Sequence, residues 1–269
     1  MGKILTESQI EAYGRDGFLH PVRIMSAAEA SKLLHRFEEL ESEIGAEAQS
    51  QFKIKAHLPF PWLNKLIRNP VMLDAIEDLI GPNILCWGSS FFTKKARDTR
   101  FVSWHQDSAY YGLRPAETVT TWIAFSESTL ASGCVRFVPG SHQLGLLSHS
   151  ETKDADNLLM RGQTIDGIDE SSAIDVELLP GEISIHHECV VHGSNPNNSD
   201  HQRIGLSIHY IAPHVRQTAF AGAKAMVVRG TDTKGHWGAD PIARNDFDPV
   251  CMSELENEWG RYKSGIGKI

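Results

Sequence analysis

Asn83-Ile84-Leu85-Cys86-Trp87-Gly88-Ser89-Ser90-Phe91-Phe92-Thr93-Lys94 is where the chain stops reading as helix and starts reading as sheet. Upstream, Thr6 with Gln9 and Ser26 with Glu29 form capping-box patterns, which predict a helix of about ten residues ending near Gly17 and one of about twenty ending near Gly45. In the second, Ala30, Leu33, Leu34, Phe37 and Leu40 recur at helical spacing, and a third helix is expected from Pro70 through Leu73, Ile76 and Leu79 to Gly81. The first third of the chain is therefore expected to be mainly helical.

Downstream, short runs rich in β-branched and aromatic residues alternate with Gly, Pro, Asn and Ser. Ile84–Trp87, Phe91–Lys94, Phe101–Trp104, Val119–Phe125, Cys134–Val138, Ala173–Leu178, Glu182–His186 and Arg203–Ile211 read as strands of a sandwich or barrel. Helices followed by a block of strands indicate an α+β fold, mainly β, rather than a βαβ alternation. The polar stretch 145–172 is too long for a simple turn and reads as a lid, a binding loop, a plain solvated loop or a disordered segment. Beyond Pro213 the periodicity is weak, and no element is assigned there.

Composition bounds the function. The 269 residues carry a net charge of −8, which disfavours a broad grip on nucleic acid. No apolar stretch is long enough to cross a bilayer, and residues 1–17 are not signal-like, so a cytoplasmic protein with no membrane partner is expected. The four cysteines, Cys86, Cys134, Cys189 and Cys251, lie far apart with no C-x-x-C pair and read as reduced core residues. Thirteen histidines raise the prior for a metal or acid–base site without locating it. Oligomeric state is not legible.

Trp104-His105-Gln106-Asp107 places a histidine and a carboxylate two residues apart at the end of an expected strand, where i and i+2 share a face. His192, opening His192-Gly193-Ser194-Asn195-Pro196-Asn197 after the strand Glu182–His186, is the candidate third ligand. It competes with His186, His187 and Glu188. Two histidines and one carboxylate on one face of an ion leave adjacent positions open, the arrangement of non-haem Fe(II) oxygenases. Arg203, eleven residues after His192, carries a guanidinium suited to a two-pronged bond with a carboxylate.

At this point the sequence resembles the phytanoyl-CoA dioxygenase family of Fe(II)/2-oxoglutarate-dependent oxygenases. The motifs are WHQD at Trp104–Asp107, TWIAF at Thr121–Phe125, GCVRFVPGSH at Gly133–His142, LPGE at Leu179–Glu182, and HGSNPN with the later Arg203. The resemblance covers roughly four-fifths of the chain, from Leu5 to His214. It implies a double-stranded β-helix (jelly roll, cupin-like) with N-terminal helices packed on it. It implies one dioxygenase domain over 1–269, with a helical N-terminal region over 1–82, a jelly-roll core over 83–214 and a C-terminal extension over 215–269.

The same resemblance makes His105, Asp107 and His192 the ligands of Fe(II) and Arg203 the partner of the distal carboxylate of 2-oxoglutarate. Ser194 and Trp122 would line the co-substrate pocket. Lys94 aligns with a family lysine nearby, although Ala96 replaces the usual proline. The implied reaction consumes O2 and 2-oxoglutarate and gives succinate, CO2 and a hydroxylated small molecule. Asp107 favours hydroxylation over halogenation, because halogenating relatives carry a small residue there; desaturation and ring formation stay open. Tyr110, Tyr111 and Arg216 are candidate substrate contacts that could equally be structural. A tyrosine-rich pocket with one basic residue suits a polar or zwitterionic metabolite, an aminoalkylphosphonate being one candidate. A metal-dependent hydrolase and a non-catalytic jelly-roll binding module are the competing readings, and Arg203 argues against hydrolysis, which needs no carboxylate clamp.

Overall fold

In the computed structural model, residues 2–265 are described; Met1 and residues 266–269, the outer ends of the expected N-terminal region and C-terminal extension, lie outside the described residues. Both capping boxes form. Thr6 caps the helix Glu7–Asp16 and Ser26 caps Ala27–Ile44, each exchanging side-chain and backbone hydrogen bonds with the residue three positions on. Gly17 and Gly45 end them in the left-handed conformation, at φ 85° and 61°. Pro70–Ile80 is the third expected helix, preceded by the short helices Ala48–Gln51 and Pro61–Leu66, and is capped by Asn69, whose side chain accepts from the Met72 amide.

The strands form two principal sheets. A seven-stranded sheet runs in the spatial order Phe18–Arg23, Glu182–His187, Val119–Ala124, Arg203–Ile211, Ile84–Lys94, Lys224–Arg229, Gly238–Ala239. A four-stranded sheet is ordered Val102–His105, His192–Ser194, Val135–Phe137, Ile174–Val176. Phe18 and Trp122 of the larger sheet pack with Phe137 and Val176 of the smaller, so the sheets face each other as a double-stranded β-helix.

Alternation assigns the faces. Along Arg203–Ile211, Ile204, Leu206, Ile208 and Tyr210 join Phe37, Leu40, Met72 and Ile76 of the helices in one apolar core. Arg203, Gly205, Ser207 and His209 therefore point the other way, between the sheets. Ile123 on the neighbouring strand, and Ile183 and Ile185 on the strand beyond it, also face the helices, which turns Ser184, His186, Thr120 and Trp122 inward. The sequence thus places apolar side chains on the helix-covered face and chemistry on the enclosed one.

Some elements differ from expectation. Ile84–Trp87 and Phe91–Lys94 are one eleven-residue strand, because Gly88 stays extended. A Cβ at Gly88 would lie 2.9 Å from His209 Cδ2, and pairing with Arg203–Ile211 shifts register beside it, between His209 and Tyr210. Phe18–Arg23 is a strand inside the third expected to be mainly helical. It is an edge strand, where Pro21 is tolerated, and its register shifts between Leu19 and Val22. Residues 145–172 contain a two-residue ladder, Ser150–Glu151 against Gln163–Thr164, and a 3-10 turn Glu170–Ser172. The four cysteines are free and buried. No helix among the described residues is long and apolar enough to cross a membrane.

The segment beyond Pro213 supplies Lys224–Arg229, Gly238–Ala239 and a final helix, Pro249–Gly265. A buried ion cluster fastens it. Lys55 Nζ, fully buried, donates to Asp240 Oδ2 at 2.9 Å, Asp240 Oδ1 at 3.0 Å and the Lys224 carbonyl at 2.7 Å, with Glu258 3.7 Å away. Removing one partner strands the others' charge in the interior. Lys55→Met should cost about 3–5 kcal/mol in denaturant unfolding, and Lys55→Met with Asp240→Leu should recover most of that loss.

Candidate metal centre and active-site cavity

His105 and His192 are directly paired partners on adjacent antiparallel strands of the smaller sheet, so register alone brings their rings to 4.1 Å between centroids. His105 Nδ1 donates to the Ser103 carbonyl at 2.9 Å and His192 Nδ1 to the Val190 carbonyl at 3.0 Å. A carbonyl can only accept, so each ring carries a proton on Nδ1 and turns Nε2 toward the site. Both Nε2 atoms approach Asp107 Oδ1, at 3.6 and 3.9 Å. One donor atom from each of His105, Asp107 and His192 lies within 4.8 Å of the other two, a set able to hold a metal ion. Two imidazoles and one carboxylate, the rings braced by backbone acceptors, fit Fe(II) by donor type.

Asp107 reaches the site differently from the shared-strand-face expectation. The strand ends at His105, and Asp107, at φ −58° and ψ −36°, is the helical residue preceding the short helix Ser108–Tyr111. The helical turn, not the pleat, directs its carboxylate. Burial pushes that carboxyl up, but contacts with His105 and His186 outweigh it and hold the group well below the ordinary range. Burial, then the neighbouring His105, pushes His192 well down, which keeps the ring neutral.

His186, the rival ligand to His192, stands across the cavity on the larger sheet. Its Nε2 lies 3.5 Å from Asp107 Oδ2, and both ring nitrogens are without hydrogen-bond partners among the described residues. His187 points away, against His142, at 5.5 Å between centroids. Glu188 is a clamp: its carbonyl accepts from Ser108 N, next to Asp107, and its Oε1 accepts from Thr118 N at 2.6 Å. Thr120 Oγ1 donates to Asp107 Oδ2 at 3.4 Å and lies 3.1 Å from His209 Nδ1, as does Tyr111 Oη. Only the inward alternation of their strands could have singled out Thr120 and His209 in sequence.

A cavity of about 380 Å³ contains the triad and is lined by Trp122, Ser194, Arg203, Tyr110 and Tyr111. Arg203 is 1% exposed. Its Nη1 donates to the Gly133 carbonyl, its Nε has no partner among the described residues, and its Cζ sits 5.2 Å from the Trp122 ring centre. Burial lowers the guanidinium only to about 10, so it remains charged at neutral pH. A buried cation with an unspent N–H facing a cavity is built to receive an anion. Gly205 makes room for this arrangement, since a Cβ there would fall 2.1 Å from Trp122 Cζ2.

Lys94 and Arg216 take other places. Lys94 is paired opposite Arg203, and its Nζ donates to Ser194 Oγ at 2.7 Å, the Ser194 carbonyl at 3.3 Å and the Asn195 carbonyl, bracing the strand that carries His192. Burial, then repulsion from Arg203, pushes it down to about 6. Arg216 is exposed, in a two-residue strand paired with Leu113–Arg114, and does not line the cavity. Residues 145–172 do line it, through Asn157, Leu158, Leu159 and Met160, as does Tyr262 of the final helix.

A mainly β double-stranded β-helix with a buried His-Asp-His triad and an inward arginine defines a metal-dependent oxygenase class. The phytanoyl-CoA dioxygenase (PhyH) family model matches residues 13–205, and the chain belongs to that family of Fe(II)- and 2-oxoglutarate-dependent dioxygenases. It is 28% identical to a probable phytanoyl-CoA dioxygenase of Caenorhabditis elegans, over 78% of this chain and 76% of that one. It is also 28% identical to a probable alpha-ketoglutarate-dependent hypophosphite dioxygenase of Stutzerimonas stutzeri, over 78% and 79%. Among solved structures, the apo form of the non-heme monooxygenase ThoJ superposes with a TM-score of 0.85 at 32% identity, covering 97% of this chain and 98% of that one. The hydrolase and non-catalytic readings give way to this membership.

Two measurements probe the site. Gly205→Ala should lower unfolding free energy by about 1–3 kcal/mol through the Trp122 clash, and the loss should shrink in a Trp122→Ala background. Glu188 is raised by burial from 4.5 to about 7, so its contribution to stability is complete below pH 4.5 and is lost as pH rises through 7. Glu188→Gln should flatten that fall, which amounts to about 1–3 kcal/mol in unfolding titrations across the window.

Proposed function

We propose that the chain hydroxylates a small molecule, with His105, Asp107 and His192 holding Fe(II) and Arg203 receiving the distal carboxylate of 2-oxoglutarate. The observation that carries this reading is Arg203: a buried, charged guanidinium, one nitrogen unspent, lining the same cavity as the triad from the opposite sheet. A metal-dependent hydrolase has no use for it.

Bound there, iron with 2-oxoglutarate and O2 supplies an oxidant for a C–H bond, with succinate and CO2 as co-products. The chain's own groups do the rest. Ser103 and Val190 carbonyls fix the tautomers that leave both Nε2 lone pairs inward. Thr120 holds the second oxygen of Asp107, leaving Oδ1 for the ion. Trp122 covers Arg203 and Ser194 lines the same pocket, with Lys94 fixing Ser194 from behind. Asp107 fills the position that halogenating relatives leave small, which favours hydroxylation. Leu158, Leu159 and Met160 line the cavity on the side of the 145–172 segment.

Anaerobic addition of Fe(II) and 2-oxoglutarate should give the weak visible charge-transfer band of the chelate. Arg203→Ala should weaken 2-oxoglutarate binding about 10–100-fold, the loss of a buried charge-assisted pair. A wild-type protein with no such band would sink the assignment.

A further inference from the structure

Resting on the function proposed above, the substrate side of the same cavity carries its own chemical signature. Its lining includes Trp87, Tyr110, Tyr111, Tyr262, Leu159 and Met160, with polar groups such as Asn157 and His209 beside them. Trp87 packs edge-on to Tyr111 at 4.6 Å between centroids, and Tyr110 stands edge-on to His105 at 6.0 Å. Tyr262 is 7% exposed and comes from the helix Pro249–Gly265, outside residues 13–205 that match the family model. The Lys55–Asp240–Glu258 ion cluster ties this helix to the body of the fold. Tyr262 is therefore presented to the cavity by an element peculiar to the extension.

Two of the cations around this chamber are already paired with carboxylates. Arg100 bonds Asp98 through Nε at 2.9 Å and Glu47 through Nη1 at 2.8 Å. Arg161, beside Met160, is paired with Glu151. Lys53 is exposed at the rim, over the Trp259 ring at 5.5 Å. Arg203 lies at the Trp122 end, where 2-oxoglutarate is placed. An anionic head group entering between the tyrosines would meet the uncharged donors Trp87 Nε1 and Tyr110 Oη, both without partners among the described residues, rather than a cation to offset its lost hydration. A flat or aliphatic uncharged group would gain contact with several aromatic faces.

We propose that Tyr262 and the Leu158–Met160 segment are specificity elements that, with Trp87, Tyr110 and Tyr111, recognise an uncharged aromatic or aliphatic group of the substrate. This departs from the aminoalkylphosphonate expectation, whose basic contact was Arg216, which lies outside the cavity. The extension thereby selects what the family core oxidises.

The test uses the full chain with Ni(II) and 2-oxoglutarate, which prevents turnover, and titrates indole and 2-aminoethylphosphonate by calorimetry. Indole should bind, and 2-aminoethylphosphonate should give no heat at concentrations saturating for indole. Tyr262→Ala should weaken indole about tenfold and Tyr262→Phe less than about threefold, as expected for loss or retention of one aromatic contact. Because Tyr262→Ala could undock its helix, Met160→Arg, at an exposed position, provides a second variant; it should weaken indole and admit the phosphonate. Indole is also titrated into the metal-free chain, so failure of 2-oxoglutarate to bind counts against the proposed function while the chamber is judged separately. Absence of indole binding, tighter binding of the phosphonate, or indole affinity unchanged in both variants overturns the inference.

Discussion

The antiparallel pairing of His192 with His105 is the constraint on which the rest of the site depends. It sets two imidazoles side by side on the smaller sheet, and backbone carbonyls of Ser103 and Val190 fix both rings with Nε2 inward. A slip of one residue would turn either ring to the opposite face and dissolve the triad. Much of the surrounding structure holds that register. Lys94 ties down Ser194 and Asn195, and Gly193, whose Cβ would come 2.9 Å from the Val102 carbonyl, lets the two strands close.

The larger sheet answers with a different device. Its strands put Ile and Leu against the helices and Arg203, His186, Thr120, Trp122 and His209 against the smaller sheet. One face is stabilised by apolar burial, which allows the other to carry buried polar groups whose desolvation would otherwise be costly. Glycine appears where those groups need space: Gly205 under Trp122 and Gly88 beside His209. The site is therefore inseparable from the core, because the same alternation creates both.

The His-Asp-His triad and Arg203 lie within the segment matched by the family, while other parts of the cavity wall come from residues 145–172 and from the final helix. A shared oxidising centre with variable surroundings is the expected division of labour, since the chemistry demands fixed donors and the substrate demands a fitted wall. The buried Lys55 cluster gives the helix that carries Tyr262 a rigid attachment across the edge of the sheet.

Local signals determined a great deal. Capping boxes fixed two helices, β-branched runs fixed most strands, and motif order pointed to His105, Asp107, His192 and Arg203, all of which the structure brings to one cavity. Each depends on short-range chemistry or on spacing along the chain, which a sequence displays. Tertiary structure alone decided the rest. Asp107 enters from a helical turn, His186 and His209 join from strands distant in sequence, Lys94 braces rather than lines the cavity, and Arg216 faces outward. Phe18–Arg23 pairs as an edge strand despite Pro21, and the final helix is fastened by buried charge at Glu258 as well as by Cys251, Leu255 and Tyr262 in the core. Those placements are set by which strands become neighbours and which face each presents, and neither is written in local pattern.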